Sequence, residues 1–316
     1  MVSPNLSEIV STTLRNRTGE FADNVTNKNA LLARLKDKGA IKKLSGGRTI
    51  VKELDYAENG TFKYYSGYES LDVSASDVLS AAEYDWRQAA VAVTISGLEE
   101  RQNNGAQAVA NLLSSRITNA MRTMSNKISE GIYSDGTGSS GKQIDGLKAI
   151  VADDPTTGTV GGINAANFSF WRNYANSAST SAGNILTRMN TAYNSITRGA
   201  DQPDIIVADT TLFGFFESSL QANQRFTDDK NGNAGFITYR YKGAEVVLDD
   251  AAGMSTTHNR MYMLNTDYLF FDVHTDAFMT PLDGREPVNQ DAMVFPIIFQ
   301  GNLTCSNREL QAVLTA

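Results

Sequence analysis

A chain of 316 residues, 41% hydrophobic and 20% charged, has enough apolar material for a substantial core in two domains or lobes, which excludes extensive disorder. Its net charge of -7 removes the global positive field that a dedicated nucleic-acid-binding protein needs. A single cysteine, Cys305, excludes an intrachain disulfide framework and any multi-cysteine metal site, and reads as a small buried hydrophobe. The first residues hold no continuous apolar region of the signal-peptide kind, and stretches such as AAVAV (89–93) are too short to span a bilayer. The expectation is a protein folded in a reducing cytoplasm, with no membrane partner.

Residues 1–45 read as a separate N-terminal arm. Leu6, Ile9, Val10 and Leu14 give one short amphipathic helical stretch, and Leu31, Leu32 and Leu35 suggest another. Between Lys28 and Lys52 stand eight basic residues and one acidic residue, Asp37. Arg34, Lys36, Lys38, Lys42 and Lys43 form the centre of that run. It reads either as a solvated face, the commoner fate of a charge run, or as a patch for nucleic acid or an acidic neighbour.

Gly46-Gly47 opens an extended region. RTIVKELDY (48–56) alternates imperfectly, Asn59-Gly60 supplies a tight turn, and TFKYY (61–65) reads as the return strand. A lone hairpin has too little apolar surface to offset its ordering entropy. Ile50, Leu54, Tyr56, Phe62, Tyr64 and Tyr65 should therefore lie against something, and the sequence points to another subunit.

AEYDWRQAAVAVTIS (82–96) is a further strand. Tyr84 and Trp86 share one face and Val91, Val93 and Ile95 the other parity, which predicts a bulge or bend near Gln88–Ala90. From about Gly105 to Tyr133, Val109, Leu113, Ile117, Met121, Met124, Ile128 and Ile132 recur at helical spacing. Arg116, Asn119, Arg122, Asn126 and Lys127 lie largely off that stripe. The predicted helix is roughly 40 Å long, and its stripe suits packing on a sheet.

After a turn at Asp135-Gly136 the pattern alternates. TRMNTAYNSITR (187–198) reads as a helix, PDIIVAD (203–209) as a buried strand, and TLFGFFESSLQ as a helix. FITYRYKGAEVVL (236–248) is a hairpin about Lys242-Gly243, and MYML and YLFFDV (261–273) add strands. VFPIIF and NLTCSN follow, with Pro296 pointing to an edge or bent strand. No repeat of fixed period appears, so a solenoid is not expected.

Two strings imitate chemical motifs. GTGSSGKQ (136–143) matches a glycine-rich phosphate loop in part, and Asp209 after DIIVA could imitate the magnesium-associated motif. Such loops must follow a strand and open a helix, however, whereas this one follows the long helix and has Gln143 where a hydroxyl is needed. DDKNGNAG (228–235) resembles a calcium loop but has Ala234 for the required glycine and Arg240 for the bidentate glutamate. His258 and His274 lack metal-pair spacing, and adjacent acids such as Asp153-Asp154 and Asp249-Asp250 do not show convergence in space. No catalytic, cofactor-binding or metal-binding residue is assigned.

The order of parts carries more weight: polar arm, aromatic hairpin, bent strand, long helix, alternating domain, returning strands. With GGRTIVKELDYAENGTFKYYSGYESLDV (46–73), AAEYDWRQAAVAVTISGLEE (81–100), KQIDGLKAIVADDPTTGTVGGI (142–163), FWRN (170–173), RGADQPDIIVAD (198–209) and GNLTCSNRELQAVL (301–314), the chain resembles the Hong Kong 97-type major capsid proteins of tailed bacteriophages. The resemblance implies an α+β capsid fold. Residues 1–45 would be the N-terminal arm, 46–80 an extended loop reaching across an adjoining subunit, 81–144 and 285–316 a peripheral domain with a spine helix at about 105–133, and 145–284 an axial domain.

It also implies a shell subunit and not an enzyme, forming pentamers and hexamers of an icosahedral head around double-stranded DNA, with no cofactor. The implied place is the virion capsid, assembled in the bacterial host cytoplasm. Implied partners are other copies of itself, a separate scaffolding protein, a portal, a decoration protein and DNA bound non-specifically. Lys52 and Lys63 lie in the extended region, but no motif carries over the lysine–asparagine cross-link of some members, and none is expected. The rival readings are a nucleotide-dependent enzyme built on GTGSSGK and DIIVAD, and another structural protein forming a tube or compartment shell.

Overall fold

The computed structural model describes residues 29–102, 106–176, 178–220, 238–249, 254 and 259–316. The chain enters at Asn29, whose side-chain oxygen accepts from the backbone N–H groups of Leu31 and Leu32 at 3.0 and 3.1 Å. That cap satisfies two orphan donors and starts helix α1 (Ala30–Asp37). Leu31, Leu32 and Leu35 are fully buried in the main core. The next strand, β1 (Ile41–Leu44), runs parallel to β12 (Leu269–Pro281). Residues 29–44 are thus built into the body and are no separate arm. Leu6, Ile9, Val10 and Leu14 lie outside the described residues.

Two sheets organise the rest. A four-stranded sheet runs β1, β12, β13 (Ala292–Cys305), β4 (Arg87–Ser96). A six-stranded sheet runs β7 (Tyr174–Ala175), β14 (Ala312–Thr315), β11 (Arg260–Leu264), β8 (Ile205–Ala208), β10 (Ala244–Leu248), β9 (Thr238–Tyr241). After the short helix α2 (Gly97–Gln102), the spine helix α3 (Ala106–Tyr133) lies on the first sheet. Ile117, Met121, Met124, Ile128 and Ile132 share a core with Val93, Ile95, Phe295, Ile297 and Phe299. Arg122, Asn126 and Lys127 stay in solvent, as the helical period requires.

On the second sheet, α5 (Ile185–Ile196) and α6 (Thr210–Ser219) close a separate cluster around Ile206, Val246 and Met261. Asp209 caps α6, its carboxylate accepting from Leu212 N–H at 3.0 Å. The hairpin β9–β10 turns at Lys242-Gly243, as the sequence predicts.

Sheet membership departs from the expected boundaries. β12, from within 145–284, joins the four-stranded sheet, while β14, from within 285–316, joins the six-stranded one. Alternation marks a strand but not the sheet it enters, and only residues 265–268 separate β11 from β12. The expected bulge at Gln88–Ala90 is absent, because β4 pairs with β13 without a break from Arg87 to Ser96. The change of face falls at Trp86, where the chain leaves one sheet for another.

Nor is Pro296 on an edge; β13 is central. Its carbonyl accepts from Leu282 N–H at 2.8 Å, just past the last β12–β13 pair, Pro281↔Ile297. A strand residue points its N and C=O the same way, so the missing N–H faces the place where β12 ends and the ladder loses little.

Candidate assembly surface

Strands β2 (Thr49–Asp55) and β3 (Leu79–Asp85) pair from Thr49↔Asp85 to Asp55↔Leu79, and Tyr56 N–H reaches Val78 O at 3.1 Å. The strand period sends Ile50, Lys52 and Leu54 to one face. Ile50 and Leu54 are 1% and 4% exposed, packed with Ala82, Tyr84, Ile163 and Trp171. They were expected to meet another subunit; they meet the chain's own floor instead. That floor is the small pair β5 (Thr159–Val160) and β6 (Ile163–Asn164) with the segment around Trp171. At their turn Gly161 has φ +58, and a Cβ there would lie 2.9 Å from Ala82 Cβ. Only glycine permits that approach.

Further ties fix this root. Tyr56 stacks on Phe170 with ring centroids 4.8 Å apart. Tyr84 OH donates to Cys305 O at 2.9 Å. Lys52 Nζ donates to Asp272 Oδ1 at 2.9 Å and stands 4.4 Å from the Phe270 ring, while Thr304 donates its hydroxyl to the other oxygen of Asp272. Asp272 has no exposure, so removing its cation strands a buried carboxylate. Lys52→Met is expected to destabilise the subunit by about 3 kcal/mol, and adding Asp272→Leu should recover most of that loss, both read from denaturant midpoints.

Beyond the root, residues 57–78 contain no strand. Asn59-Gly60 does turn the chain, with Asn59 Oδ1 accepting from Thr61 N–H at 3.0 Å. TFKYY does not come back, however; the return strand is LSAAEYD. That strand lacks β-branched residues, and what selects it is the packing of Ala82 and Tyr84 on Gly161 and Trp171. Phe62, Tyr64, Tyr65 and Tyr68 are exposed by 74%, 91%, 62% and 109%, and Leu71 and Val73 also face water. The loop carries Glu58, Glu69, Asp72 and Asp77 against Lys63.

The basic run is divided. Arg34 Nε meets Asp204 Oδ2 at 3.0 Å, and Lys38 Nζ meets Asp267 and Asp204 at 2.7 and 3.2 Å. These two are neutralised within the chain because α1 packs where β8 begins, so they are not part of an open patch. Lys42 sits 4.1 Å from the Phe270 ring, and Lys36 and Lys43 are exposed. Burial opposes ionisation of Asp204, but the hydroxyl and backbone N–H of Thr266, then Lys38 and Arg34, outweigh it and hold the carboxyl below its ordinary range. A depressed carboxyl stabilises the fold above its unfolded value and loses that contribution as pH falls through the folded one. Asp204→Asn should therefore lower stability by about 1–3 kcal/mol at pH 7. The gap to the parent should close in urea melts as the pH is lowered toward 3.

No family profile and no curated protein matches the sequence. Solved structures do. The "Cyanophage A-1(L) capsid asymmetric unit" aligns with a TM-score of 0.60 at 16% identity, over 87% of this chain and 90% of its own. A structure from Mycobacterium phage Bobi gives 0.55 at 13%, over 88% and 89%. A virus-like particle from Pyrococcus furiosus gives 0.51 at 11%, over 97% and 98%. The chain has the Hong Kong 97-type capsid fold.

GTGSSGKQ follows the spine helix as a tight turn with Ser139 and Ser140 at φ 53 and 60. Its Gly141 carbonyl accepts from Arg87 at 2.6 Å, so at that point the turn holds a cation. His274 lies edge-on to Trp86, with ring centroids 5.8 Å apart. His258 and the 228–235 string lie outside the described residues. Among the described residues no three metal-ligating side chains converge. Burial pushes the Cys305 thiol up to about 12, which suits a packing residue.

Sequence reasoning missed Arg308. It is fully buried and donates to Ile150 O, Trp171 O and Asn173 Oδ1 at 2.6, 2.9 and 3.1 Å. Nothing local in SNRELQ marks such a residue, because its acceptors come from far along the chain.

Proposed function

We propose that the chain is the coat subunit of a protein shell, a phage head assembled from pentamers and hexamers, with a structural and not a catalytic role. The observation that carries this is a loop of some twenty residues with six exposed large apolar side chains, held on a rigid root, within a capsid fold. The four-stranded sheet with its spine helix serves as the peripheral unit and the six-stranded sheet as the axial unit. Phe62, Tyr64 and Tyr65 make the contact with a neighbouring copy, and Tyr56 sits at its margin.

Burying such a side chain gains on the order of 1.5–3 kcal/mol, while ordering each loop residue costs about 1–2 kcal/mol. Over some twenty residues the ordering cost offsets all that six such side chains gain, so one contact is weak. Ring closure makes later contacts intramolecular, and the repeated weak contacts then add up. Double-stranded DNA held non-specifically inside, a separate scaffolding protein, a portal and a decoration protein complete the proposed assembly, in the virion after formation in the host cytoplasm.

A second reading is a compartment shell, favoured by the virus-like particle whose structure the chain matches over 97% of its length. Electron microscopy of the expressed chain, with nucleic-acid content read from absorbance, tests both. Icosahedral particles that take up DNA in the phage setting support a head, and nucleic-acid-free closed shells there support a compartment. A monodisperse monomer at high concentration overturns both.

A further inference from the structure

Asn59 and Gly60 stand exposed at the first turn of the loop, and theirs is the Asn-Gly step among the described residues. Asn59 Oδ1 accepts twice from Thr61, from its N–H at 3.0 Å and from its hydroxyl at 2.8 Å. An oxygen held by the amide two residues on keeps the carboxamide folded along the intervening peptide, beside the Gly60 nitrogen. The two donors also draw electron density from Cγ. They stand where negative charge collects when a nucleophile adds to that carbon.

A nucleophile is at hand. Gly60 N–H reaches Ser76 Oγ at 3.4 Å, a long and weak hold for a hydrogen bond. A Cβ on Gly60 would meet nothing within 4 Å, so this peptide has room to rotate. Glycine also leaves its own nitrogen unhindered.

Other asparagines of the chain make the contrast. Asn29, Asn164, Asn265 and Asn307 hold the amide two residues on in the same way. The residues that follow them are Ala30, Ala165, Thr266 and Arg308, all buried. The nitrogens of Ala165 and Thr266 are committed elsewhere, to Gly158 O at 3.0 Å and Asp204 Oδ1 at 2.8 Å. Of these five, Asn59 is the one that joins a polarised carboxamide to an exposed glycine with a lightly held amide.

We propose that Asn59 is a site of self-modification, its carboxamide condensing with the Gly60 backbone nitrogen to a succinimide that water opens to aspartate and isoaspartate. Gly60 N gives its proton to solvent hydroxide and adds to Asn59 Cγ. The oxyanion on Oδ1 collapses, the Cγ–Nδ2 bond breaks, and the nitrogen takes a proton from water and leaves as ammonia. Water then adds to either carbonyl of the ring. Opening at Cγ gives aspartate, and opening at the former peptide carbon gives isoaspartate. Nothing is oxidised or reduced.

The aspartyl product suits the turn, because Asp154 already accepts from Thr156 N–H and hydroxyl at 3.0 and 2.6 Å in the same arrangement. Isoaspartate does not, since it routes the main chain through Cβ and Cγ and lengthens it just before Gly60. Either product adds a carboxylate to a loop that already sets Glu58, Glu69, Asp72 and Asp77 against Lys63.

The test ages the folded subunit in mildly alkaline heavy-oxygen water and reads its peptides by fragmentation mass spectrometry, so that conversions during ageing carry the label. Residue 59 should gain a labelled carboxylate in both isomeric forms. It should convert at least about tenfold faster than the other four asparagines, and Gly60→Ala should slow it by a similar factor, because a Cβ crowds the attacking nitrogen. Thr61→Val keeps the N–H and the branched shape but loses the hydroxyl donor. A slowing of about two- to tenfold is expected there, with Thr61→Ser near the parent rate. Conversion no faster at residue 59 than at the other four, in a subunit still folded by circular dichroism, overturns the proposal. An unchanged rate in Thr61→Val overturns the part given to that hydroxyl. Both readings are taken on free subunits, so they stand whether or not the chain builds shells.

Discussion

Excising Ala57–Asp77 and joining Tyr56 to Val78 through Asn-Gly is expected to leave a folded, soluble subunit that builds no shells. Tyr56 and Val78 already face each other across the hairpin with an N–H···O contact of 3.1 Å, so a two-residue turn fits the gap. None of the removed side chains belongs to the three buried clusters, and shortening a loop changes closure entropy by well under about 1 kcal/mol per doubling of length. The unfolding midpoint should barely move. Particle formation should be lost, because Phe62, Tyr64, Tyr65 and Tyr68 go with the loop. The cut must spare β2. Removing Thr49–Asp55 would take Ile50 and Leu54 out of the core and confuse an assembly defect with unfolding. Sedimentation and negative-stain images of the excised chain check this; normal particles would contradict it.

Replacing Arg308 by methionine is expected to cost about 3–5 kcal/mol, much of the roughly 5–15 kcal/mol that a domain has. The guanidinium has no exposure, and the acceptors of its three hydrogen bonds are all neutral: two backbone carbonyls and the Asn173 amide oxygen. Burial lowers its pKa, yet arginine keeps its proton in proteins. A buried cation without a carboxylate is tolerated because its fork joins three segments: the end of helix α4 (Leu147–Ile150), the Trp171–Asn173 stretch and the turn before β14. Methionine keeps much of the length and loses every donor, leaving two buried carbonyls unpaired. Lysine should fail nearly as badly, since an ammonium cannot reproduce the planar fork. Trp171 is also the floor under Ile50 and Leu54, so partial rescue at low temperature should still leave a loosened root. Guanidinium melts and soluble yield measure this, and a loss under about 1 kcal/mol would contradict the role given to Arg308.

Much of the fold was legible because it follows local periods. The spine helix appears in the sequence as a 3.6-residue stripe and in the structure as buried Ile117, Met121, Met124, Ile128 and Ile132. The Lys242-Gly243 turn and the buried strand IIVA are equally direct. What failed depends on distant partners. TFKYY has better strand residues than LSAAEYD, but Ala82 and Tyr84 fit under Gly161 and against Trp171. β12 and β14 look like their neighbours in sequence while entering different sheets. Arg34 and Lys38 read as free charge until α1 is folded onto Asp204. For the candidate surface, the aromatic content was visible, but not its division at the root: Ile50 and Leu54 turn inward and Phe62, Tyr64 and Tyr65 stay outside.

Hydroxyl-radical footprinting of Tyr64, Tyr65 and Tyr68, in sedimented particles and in the same particles dissociated to subunits, asks most directly whether a sister molecule covers this loop. Modification several-fold lower at all three tyrosines in the particle, with the buried Tyr84 unchanged, is the expected result. Equal modification in both states would mean that shells form without the loop being covered, and would contradict the central claim.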